Sequence, residues 1–232
     1  SQLHINKERK PINLFRRKRL SMRSAAPNSF LLLFFLKRRN RNIYITLVII
    51  LLHMLQKDNR HKILKLFFED PVPKGIGFQL REISRKCKIA PTSVKKYLNE
   101  LEKEKLIVKK KHRIYNYPVY YANRDNEYFK FLKKIDAMQS IKEIGLLNYL
   151  ENVCMPDTIV LFGSASKGED IKDSDIDLFL LCKEKKLNLK KNEKELKRRI
   201  NIFFESNFEK LSNELKNNII NGVILSGYLK VF

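Results

Sequence analysis

The stretch TIVLFGSASKGEDIKDSDIDLFLL, residues 158–181, decides how the second half of the chain folds. An apolar run, residues 159–162, stops at Gly163, and a second apolar run begins with Asp175 and Asp177. Short apolar runs bounded by Gly and polar residues are typical of buried strands. The stretch therefore predicts a strand, a Gly-Ser turn that opens a short helix, and a second strand.

The two aspartates of the second strand are expected to point to the same side. Side chains at i and i+2 leave a strand on one face, so Asp175 and Asp177 project together while Ile176 faces the other way. Adjacent carboxylates repel each other unless a cation lies between them, and Mg²⁺ binds carboxylate oxygens together with substrate phosphates. Gly163 lets a phosphate approach the backbone, and the N–H groups that follow Ser164 favour an anion. A phosphate site and a metal site are thus predicted in one pocket.

The sequence GS at residues 163–164, followed by SDID at residues 174–177, carries a resemblance to a known family. It resembles the signature of the polymerase-beta-type nucleotidyltransferase superfamily, in particular its minimal, antitoxin-like members of archaeal type. The resemblance extends from roughly Asn148 to the C-terminus. It implies a small domain with a mixed sheet.

The resemblance also implies a role for each residue of the motif. Gly163 and Ser164 are expected to hold the triphosphate of ATP or another NTP. Asp175 and Asp177 are expected to bind the catalytic Mg²⁺, with two ions as in two-metal sites. The implied reaction transfers NMP, and AMP in antitoxin-like enzymes, to an acceptor hydroxyl. A partner protein such as a toxin is one acceptor that this resemblance suggests.

The family carries a third carboxylate on a later strand, and the equivalent segment here is RINIFFE, residues 199–205. Asn201 stands where that aspartate would act as base and metal ligand, and Asn cannot take a proton from an attacking hydroxyl. Glu205 shares a strand face with Asn201 and is the candidate catalytic substitute if the register differs. Otherwise the site binds nucleotide and magnesium but turns over slowly or not at all. The chain would then be a nucleotide-sensing transcription regulator.

Residues 54–125 predict three helices followed by a basic hairpin. Pro91 suits the first position of the third helix. Its apolar residues recur at i, i+4 and i+7: Val94, Leu98 and Leu101. The run QLREISRKCKIAPTSVKKYLNELEKEKLI, residues 79–107, resembles the winged helix-turn-helix of bacterial and archaeal transcription regulators. Lys105 stands where such domains usually carry Gly, the residue that most easily adopts a left-handed cap.

This second resemblance implies that the third helix enters the major groove of double-stranded DNA and that the hairpin reaches phosphates. The expected DNA contacts are Thr92, Ser93, Lys95, Lys96 and Asn99 of the helix, and Lys109, Lys110, Lys111 and Arg113 of the hairpin. A net charge of +10 over residues 54–125 favours DNA. Ordinary solvation of a charged face and a protein–protein module are the alternatives. Affinity for DNA should fall steeply with salt.

Charge is unevenly distributed along the chain. Residues 1–53 carry a net +11, residues 54–125 a net +10 and residues 126–232 a net +2. The first half is therefore the part expected to meet a polyanion. Three scattered cysteines indicate reduced thiols in a cytoplasmic protein, because they form neither a disulfide framework nor a zinc spacing.

The first 53 residues contain two apolar runs, 30–36 and 43–52, separated by four cations. Neither run reaches the ~20 apolar residues of a membrane span, and joining them would bury the cations at its centre. No small-residue cleavage site follows the apolar runs, which argues against a signal peptide. Our hypothesis is that the natural protein starts at Met54 and that the extension is not native. A membrane-tethered protein is the alternative.

Together these patterns predict an α+β protein in four segments. They are a basic and apolar extension at 1–53, a winged helix domain at 54–125, a helical connector at 126–147 and a nucleotidyltransferase domain at 148–232. Two helices form the connector, with bends at Gln139-Ser140 and Gly145. Residues 184–199 predict an amphipathic helix with a solvated face, and the alternative is that Lys197, Arg198 or Arg199 steadies the triphosphate. The sequence leaves monomer and homodimer open.

Overall fold

The computed structural model describes residues 59–71 and 73–230, and these form a mixed α+β structure. The predictions for residues 1–53, including the start at Met54 and the membrane-tethered alternative, lie outside the described residues. In the described part of the chain, no helix combines the length and the apolar character needed to cross a bilayer. The three cysteines are free thiols.

The N-terminal part of the described chain contains three helices and a three-stranded antiparallel sheet. In chain order the elements are α1 (Asn59–Glu69), β1 (Phe78–Gln79), α2 (Leu80–Cys87), α3 (Pro91–Lys103), β2 (Ile107–Lys111) and β3 (Pro118–Ala122). Strand β3 lies between β1 and β2. Phe78 lies in β1, directly before α2, and pairs with Tyr120.

Helix α3 follows the predicted spacing. Pro91 occupies its first turn, where a missing N–H costs no helical hydrogen bond. The three predicted inward residues are fully buried: Val94, Leu98 and Leu101. After the helix, Lys105 adopts the left-handed conformation with φ 59°. The Asn123 side chain donates to the Lys105 carbonyl at 2.8 Å and so stabilises a turn that glycine would form more easily.

The first strand of the basic hairpin, β2, extends through Lys111. Residues 109–111 belong to β2 and not to the tip, because they pair with residues 118–120 of β3. The tip consists of residues 112–117, and there the rings of His112, Tyr115 and Tyr117 stack on one another. The three lysines therefore project from a strand, and only Arg113 of the predicted hairpin contacts lies in the tip.

Two helices follow, α4 (Glu127–Glu143) and α5 (Leu146–Cys154). The Asn126 side chain caps α4 by accepting a hydrogen bond from Phe129 N at 2.9 Å. The predicted bend at Gln139 is wrong: this residue lies inside α4, where its amide donates to Glu143 at 2.8 Å. The break comes at Gly145, whose φ of 73° suits glycine.

Helix α4 contributes side chains to two hydrophobic cores. Near its start, Phe129 is buried with residues of α1, α2 and α3. Near its end, Ile141 is buried with residues of α5 and of the C-terminal sheet. One continuous helix of 17 residues therefore joins the two cores.

The C-terminal part is built on a four-stranded mixed sheet. Its elements are β4 (Thr158–Phe162), α6 (Gly163–Lys167), β5 (Ile176–Leu181), α7 (Lys190–Leu196), β6 (Ile200–Glu205), α8 (Asn213–Ile220) and β7 (Val223–Gly227). The strand order is β6-β5-β4-β7; β5 and β6 are parallel, and the other pairs are antiparallel. The two strands that flank the Gly-Ser turn thus pair with each other.

Alternation along β5 divides the C-terminal core into two layers. Ile176, Leu178 and Leu180 pack beneath α4 and α5. Phe179 packs on the opposite face with Phe208. Asp177 shares the face of Phe179, so it points away from Ile176 as the period of two predicts.

The predicted amphipathic helix of the C-terminal part is shorter than expected. The pattern at residues 184–199 forms a helix only at Lys190–Leu196. After β6, the chain forms a 3₁₀ turn, Phe208–Lys210, and then α8. Helix α8 starts afresh because the Ser212 hydroxyl accepts from Leu215 N at 3.3 Å and caps it.

Candidate active site

Gly163 forms the turn between β4 and α6 in a left-handed conformation, with φ 72°. A Cβ added to Gly163 would lie 2.5 Å from Asp177 Oδ2. The backbone angle therefore favours glycine, and any side chain at this position would displace the Asp177 carboxylate. Phe162 lies opposite Asp177 in the β4–β5 register, so the chain's folding places the turn directly beside the second aspartate.

Asn201 bridges the two aspartates. In the parallel pair of β5 and β6 it lies opposite Asp177. Its Nδ2 donates to Asp175 Oδ2 at 3.2 Å and to Asp177 Oδ1 at 3.1 Å. Because one amide nitrogen reaches both carboxylates, Asp175 and Asp177 converge as the sequence predicts. Residue 201 thus occupies the third corner of the cluster.

The cluster is open to solvent on one side. Asp175 and Asp177 are half-buried, and Asn201 is exposed. Ser164 is also half-buried, and its hydroxyl has no hydrogen-bond partner within the described residues. A polyphosphate can therefore approach the turn and the carboxylates from the same side.

Glu205 is not brought to the aspartates. It lies opposite Leu181 at the far end of β6, roughly 13 Å along the strand from Asn201 at about 3.3 Å per residue. Its carboxylate accepts hydrogen bonds from Asn207 N at 3.1 Å and Ser206 N at 2.8 Å. These N–H groups lower the pKa of Glu205. In this register Glu205 closes the turn after β6 and does not replace the missing carboxylate.

The donor set of this cluster fits one Mg²⁺ ion. Asp175 and Asp177 offer carboxylate oxygens, and rotating the Asn201 amide by half a turn presents its oxygen in place of its nitrogen. Magnesium completes its shell with water and phosphate oxygens, so a few protein oxygens suffice. Between residues 59 and 230, residue 72 aside, no three Asp, Glu, His or Cys side chains cluster in a way that would hold a metal. The residues fit one ion better than two.

Arg198 fixes the backbone just before β5. Its guanidinium donates to Ser174 O at 2.6 Å, to Asp175 O at 3.1 Å and to Asp170 Oδ2 at 2.9 Å. Its donors are thus directed at protein groups, which leaves exposed Lys197 and Arg199 as the cations of this segment for a triphosphate.

Asp170 and Lys133 form a buried ion pair that no local sequence pattern predicts. They are 4% and 3% exposed. Lys133 Nζ lies 3.5 Å from Asp170 Oδ2 and also donates to the Asp170 carbonyl. Burial lowers the pKa of Lys133, and the Asp170 carboxylate partly offsets that effect. The one available signal was position, since Lys133 follows Phe129 by four residues on the inner face of α4.

A cavity of about 440 Å³ lies between α1, α4 and the C-terminal sheet. Its lining includes Asp136 and Arg198 but neither Asp175 nor Asp177, so it is separate from the carboxylate cluster. Burial raises the pKa of Asp136 to about 6, although Lys65 acts in the opposite direction. The cavity therefore contains a carboxyl group that titrates near neutral pH.

The residues predicted to contact DNA lie at the surface of α3 and of the hairpin. All are exposed except Ser93, which is half-buried: Thr92, Lys95, Lys96, Asn99, Lys109, Lys110, Lys111 and Arg113. Lys110 Nζ lies 5.5 Å from the ring centroid of Tyr121, and Lys96 Nζ lies 6.0 Å from that of Tyr97. The helix and the hairpin thus present their cations to solvent.

The comparison with known families covers the C-terminal part. The model of the polymerase beta nucleotidyltransferase family matches residues 145–228. No curated protein matches the chain. The matched residues include α5, the whole four-stranded sheet, the Gly163 turn and the aspartate cluster. Residues 145–228 are therefore a polymerase beta nucleotidyltransferase domain.

Proposed function

We propose that this chain is a DNA-binding protein whose C-terminal domain transfers a nucleoside monophosphate from an NTP, with ATP as the expected donor, to an acceptor hydroxyl in a Mg²⁺-dependent reaction. One observation carries the proposal: Asp175 and Asp177 converge beside the turn at Gly163, within reach of a single amide group. A phosphate-binding turn next to paired carboxylates is the arrangement that nucleotidyl transfer requires.

Each residue of the cluster has a task in this proposal. Asp175 and Asp177 hold Mg²⁺, which when bound supplies positive charge to offset that developing on the transferred phosphate. The Gly163 turn accommodates the triphosphate where a side chain would block it, and Ser164 donates its hydroxyl to a phosphate oxygen. Arg199, exposed beside the cluster, is placed to contact the triphosphate.

Proton removal is the weak point of this site. Asn201 cannot accept the proton of the attacking hydroxyl, and Glu205 lies at the other end of β6. The acceptor proton must therefore pass to water or to the nucleotide itself. A positioned base typically contributes about 10²–10⁴-fold to a rate, so we expect slow turnover.

The position of Asn201 favours a second candidate function. In this alternative the domain binds a magnesium nucleotide without releasing pyrophosphate, and nucleotide occupancy changes the affinity of the N-terminal part for DNA. Calorimetry with ATP and Mg²⁺, followed by a turnover assay, separates the two functions. Binding without pyrophosphate release would select the nucleotide sensor.

The enzyme reading is tested by measuring pyrophosphate release with all four NTPs. The double variant Asp175→Asn with Asp177→Asn removes both charges from the cluster and should abolish release. Asp173→Asn is the matched control, because Asp173 is exposed and its carboxylate has no hydrogen bond or ion pair within the described residues. Release that survives the double variant would rule out this site as the source of the activity.

The DNA-binding part of the proposal is supported by the order of elements before residue 123. Helix, strand, helix, helix and hairpin is the arrangement expected of a winged helix, with α3 as the helix that enters the major groove. The exposed cations of α3 and the hairpin supply the electrostatic footprint. The proposal has four further parts. They are domain boundaries at residues 125 and 147, a cytoplasmic location, a protein acceptor such as a toxin, and a homodimer.

A further inference from the structure

The loop between α6 and β5 is fastened to helix α4. A Cβ on Gly168 would lie 2.1 Å from the Lys130 carbonyl oxygen, so the two backbones are in direct contact. Glu169 Oε1 lies 3.3 Å from Lys130 Nζ. Arg124 donates to the Glu169 carbonyl at 3.3 Å. The start of the loop that leads to Asp175 therefore rests on α4.

Asp170 continues this attachment in the interior. Its Oδ2 receives both Lys133, at 3.5 Å, and Arg198, at 2.9 Å. All three side chains are largely removed from water, and a buried charge is retained only where partners offset its desolvation. Asp170 thus sets the position of the Arg198 guanidinium relative to α4.

Arg198 transmits that position to the aspartate cluster. Two of its donors bind consecutive carbonyls, those of Ser174 and Asp175, directly before β5. The next backbone amide is also bonded, because Ile176 N donates to Arg199 O at 2.9 Å. The backbone of Asp175 is thereby held from both its carbonyl and the following amide. The direction of the Asp175 carboxylate depends on this backbone.

We propose that Arg198, anchored by Asp170 and Lys133, is a positioning residue that holds Asp175 in the geometry required for metal binding. This inference rests on the proposed function of the Asp175–Asp177 cluster. Arg198 itself does not touch the metal or the nucleotide. Helix α4, through Lys133, is therefore part of the apparatus that shapes the site.

Electrostatics and positioning predict opposite effects when Arg198 is neutralised. Removing a cation that is bound to the Asp175 backbone should strengthen the binding of a divalent metal if charge alone matters. Loss of the bonds to Ser174 O and Asp175 O should weaken metal binding, because the Asp175 carboxylate is no longer held. The sign of the change in metal affinity therefore discriminates between the two effects.

The experiment measures Mn²⁺ binding to the full chain, with and without ATP, by electron paramagnetic resonance of the unbound ion. We expect Arg198→Met to weaken binding by about 10- to 100-fold, the range found when groups that orient metal ligands are removed. Arg198→Lys, which keeps the charge and part of the donor set, should give an intermediate loss. Arg81→Met is the matched control, because it removes the same charge and Arg81 is exposed, with no side-chain hydrogen bond or ion pair in the described chain.

A second measurement tests positioning without any metal. Hydrogen exchange of the backbone amides at residues 171–176 should accelerate in Arg198→Met and in Lys133→Met, and remain unchanged in Arg81→Met. If Arg198→Met unfolds at the assay temperature, Arg198→Lys replaces it in both measurements. Equal or tighter Mn²⁺ binding in the Arg198 variants, or unchanged exchange, would overturn the proposal.

The two measurements also separate this inference from the proposed function. If the unaltered protein binds no Mn²⁺ even with ATP, the nucleotidyltransferase proposal fails. The exchange data then decide the positioning role alone. Faster exchange at residues 171–176 in the variants supports it, and unchanged exchange refutes it.

Discussion

Replacing Asn201 with Asp should convert a poor catalytic site into a competent one. The Asn201 amide lies 3.2 and 3.1 Å from the two aspartates, so Asn201→Asp places a third carboxylate at the same corner. This carboxylate can both bind Mg²⁺ and accept the proton of the attacking hydroxyl. We expect the rate of pyrophosphate release to rise by about 100-fold or more, within the ~10²–10⁴-fold range of general-base catalysis.

The same substitution should destabilise the protein when no metal is present. Two unit charges about 3 Å apart repel by about 1.4 kcal/mol in a water-like medium. Because Asn201 is exposed, this lower limit applies to the repulsion of the new carboxylate by Asp175 and by Asp177. The two repulsions together cost about 3 kcal/mol. A loss of that size lowers the Tm of a chain of this length by roughly 6–12 °C. Saturating Mg²⁺ should restore most of it, because the ion lies between the charges.

Thermal unfolding in EDTA and in Mg²⁺, together with the pyrophosphate assay, measures both effects. Asn188→Asp is the control, because Asn188 is exposed and its side chain has no hydrogen bond in the described chain. The control should change neither the rate nor the difference in Tm between EDTA and Mg²⁺. An Asn201→Asp protein that gains stability from Mg²⁺ but releases no pyrophosphate would show that position 201 is not the place of the base.

Three further predictions concern the turn, the cavity and the DNA-binding surface. Gly163→Ala should lower the free energy of unfolding by about 1–3 kcal/mol, because alanine is strained at the left-handed φ of this position. The added methyl group should also displace the Asp177 carboxylate, so Mn²⁺ binding should weaken. Unchanged Mn²⁺ binding would contradict the close approach of Gly163 to Asp177. Burial raises the pKa of Asp136 to about 6, so the folded protein favours the protonated carboxyl. The resulting stabilisation is at most about 3 kcal/mol. It is fully present below about pH 4 and is lost as the pH rises through 6. Asp136→Asn should remove this loss in urea unfolding measured from pH 4 to 7, and an undiminished pH dependence would refute the assignment. Lys111→Ala should weaken DNA binding and reduce the slope of log K against log salt by about 1, whereas the exposed Lys186→Ala, in the C-terminal domain, should alter neither.

The sequence predicts those features of the site that depend on local periodicity. Alternation along β5 is sufficient to place Asp175 and Asp177 on one face and Ile176 on the other, because a strand has a fixed period of two. The Gly163 turn is equally local. Pairing of β5 with β6 is not local, since its register depends on where each strand starts. That register excludes Glu205 from the site, and no pattern in either strand determines it.

The missed features share a different cause. Lys133 and Asp170 are 37 residues apart, and each reads as an ordinary surface charge because buried lysines are rare. Gln139 suggested a bend because polar residues are common at helix ends. Its amide bonds Glu143 one helical turn later, so the polar side chain is satisfied without breaking the helix. Tertiary burial, which a local pattern does not contain, decided each of these cases.

Helix α4 limits where the chain can be cut. An expression fragment that starts at residue 145, where the family match begins, would lack Ile141 from its core and Lys133 from the network behind the aspartates. A longer fragment that starts at residue 127 keeps both but leaves Phe129 without the helices that cover it. Neither half therefore makes a clean truncation, and a protease cleaving between the two cores would have to cut through an intact helix.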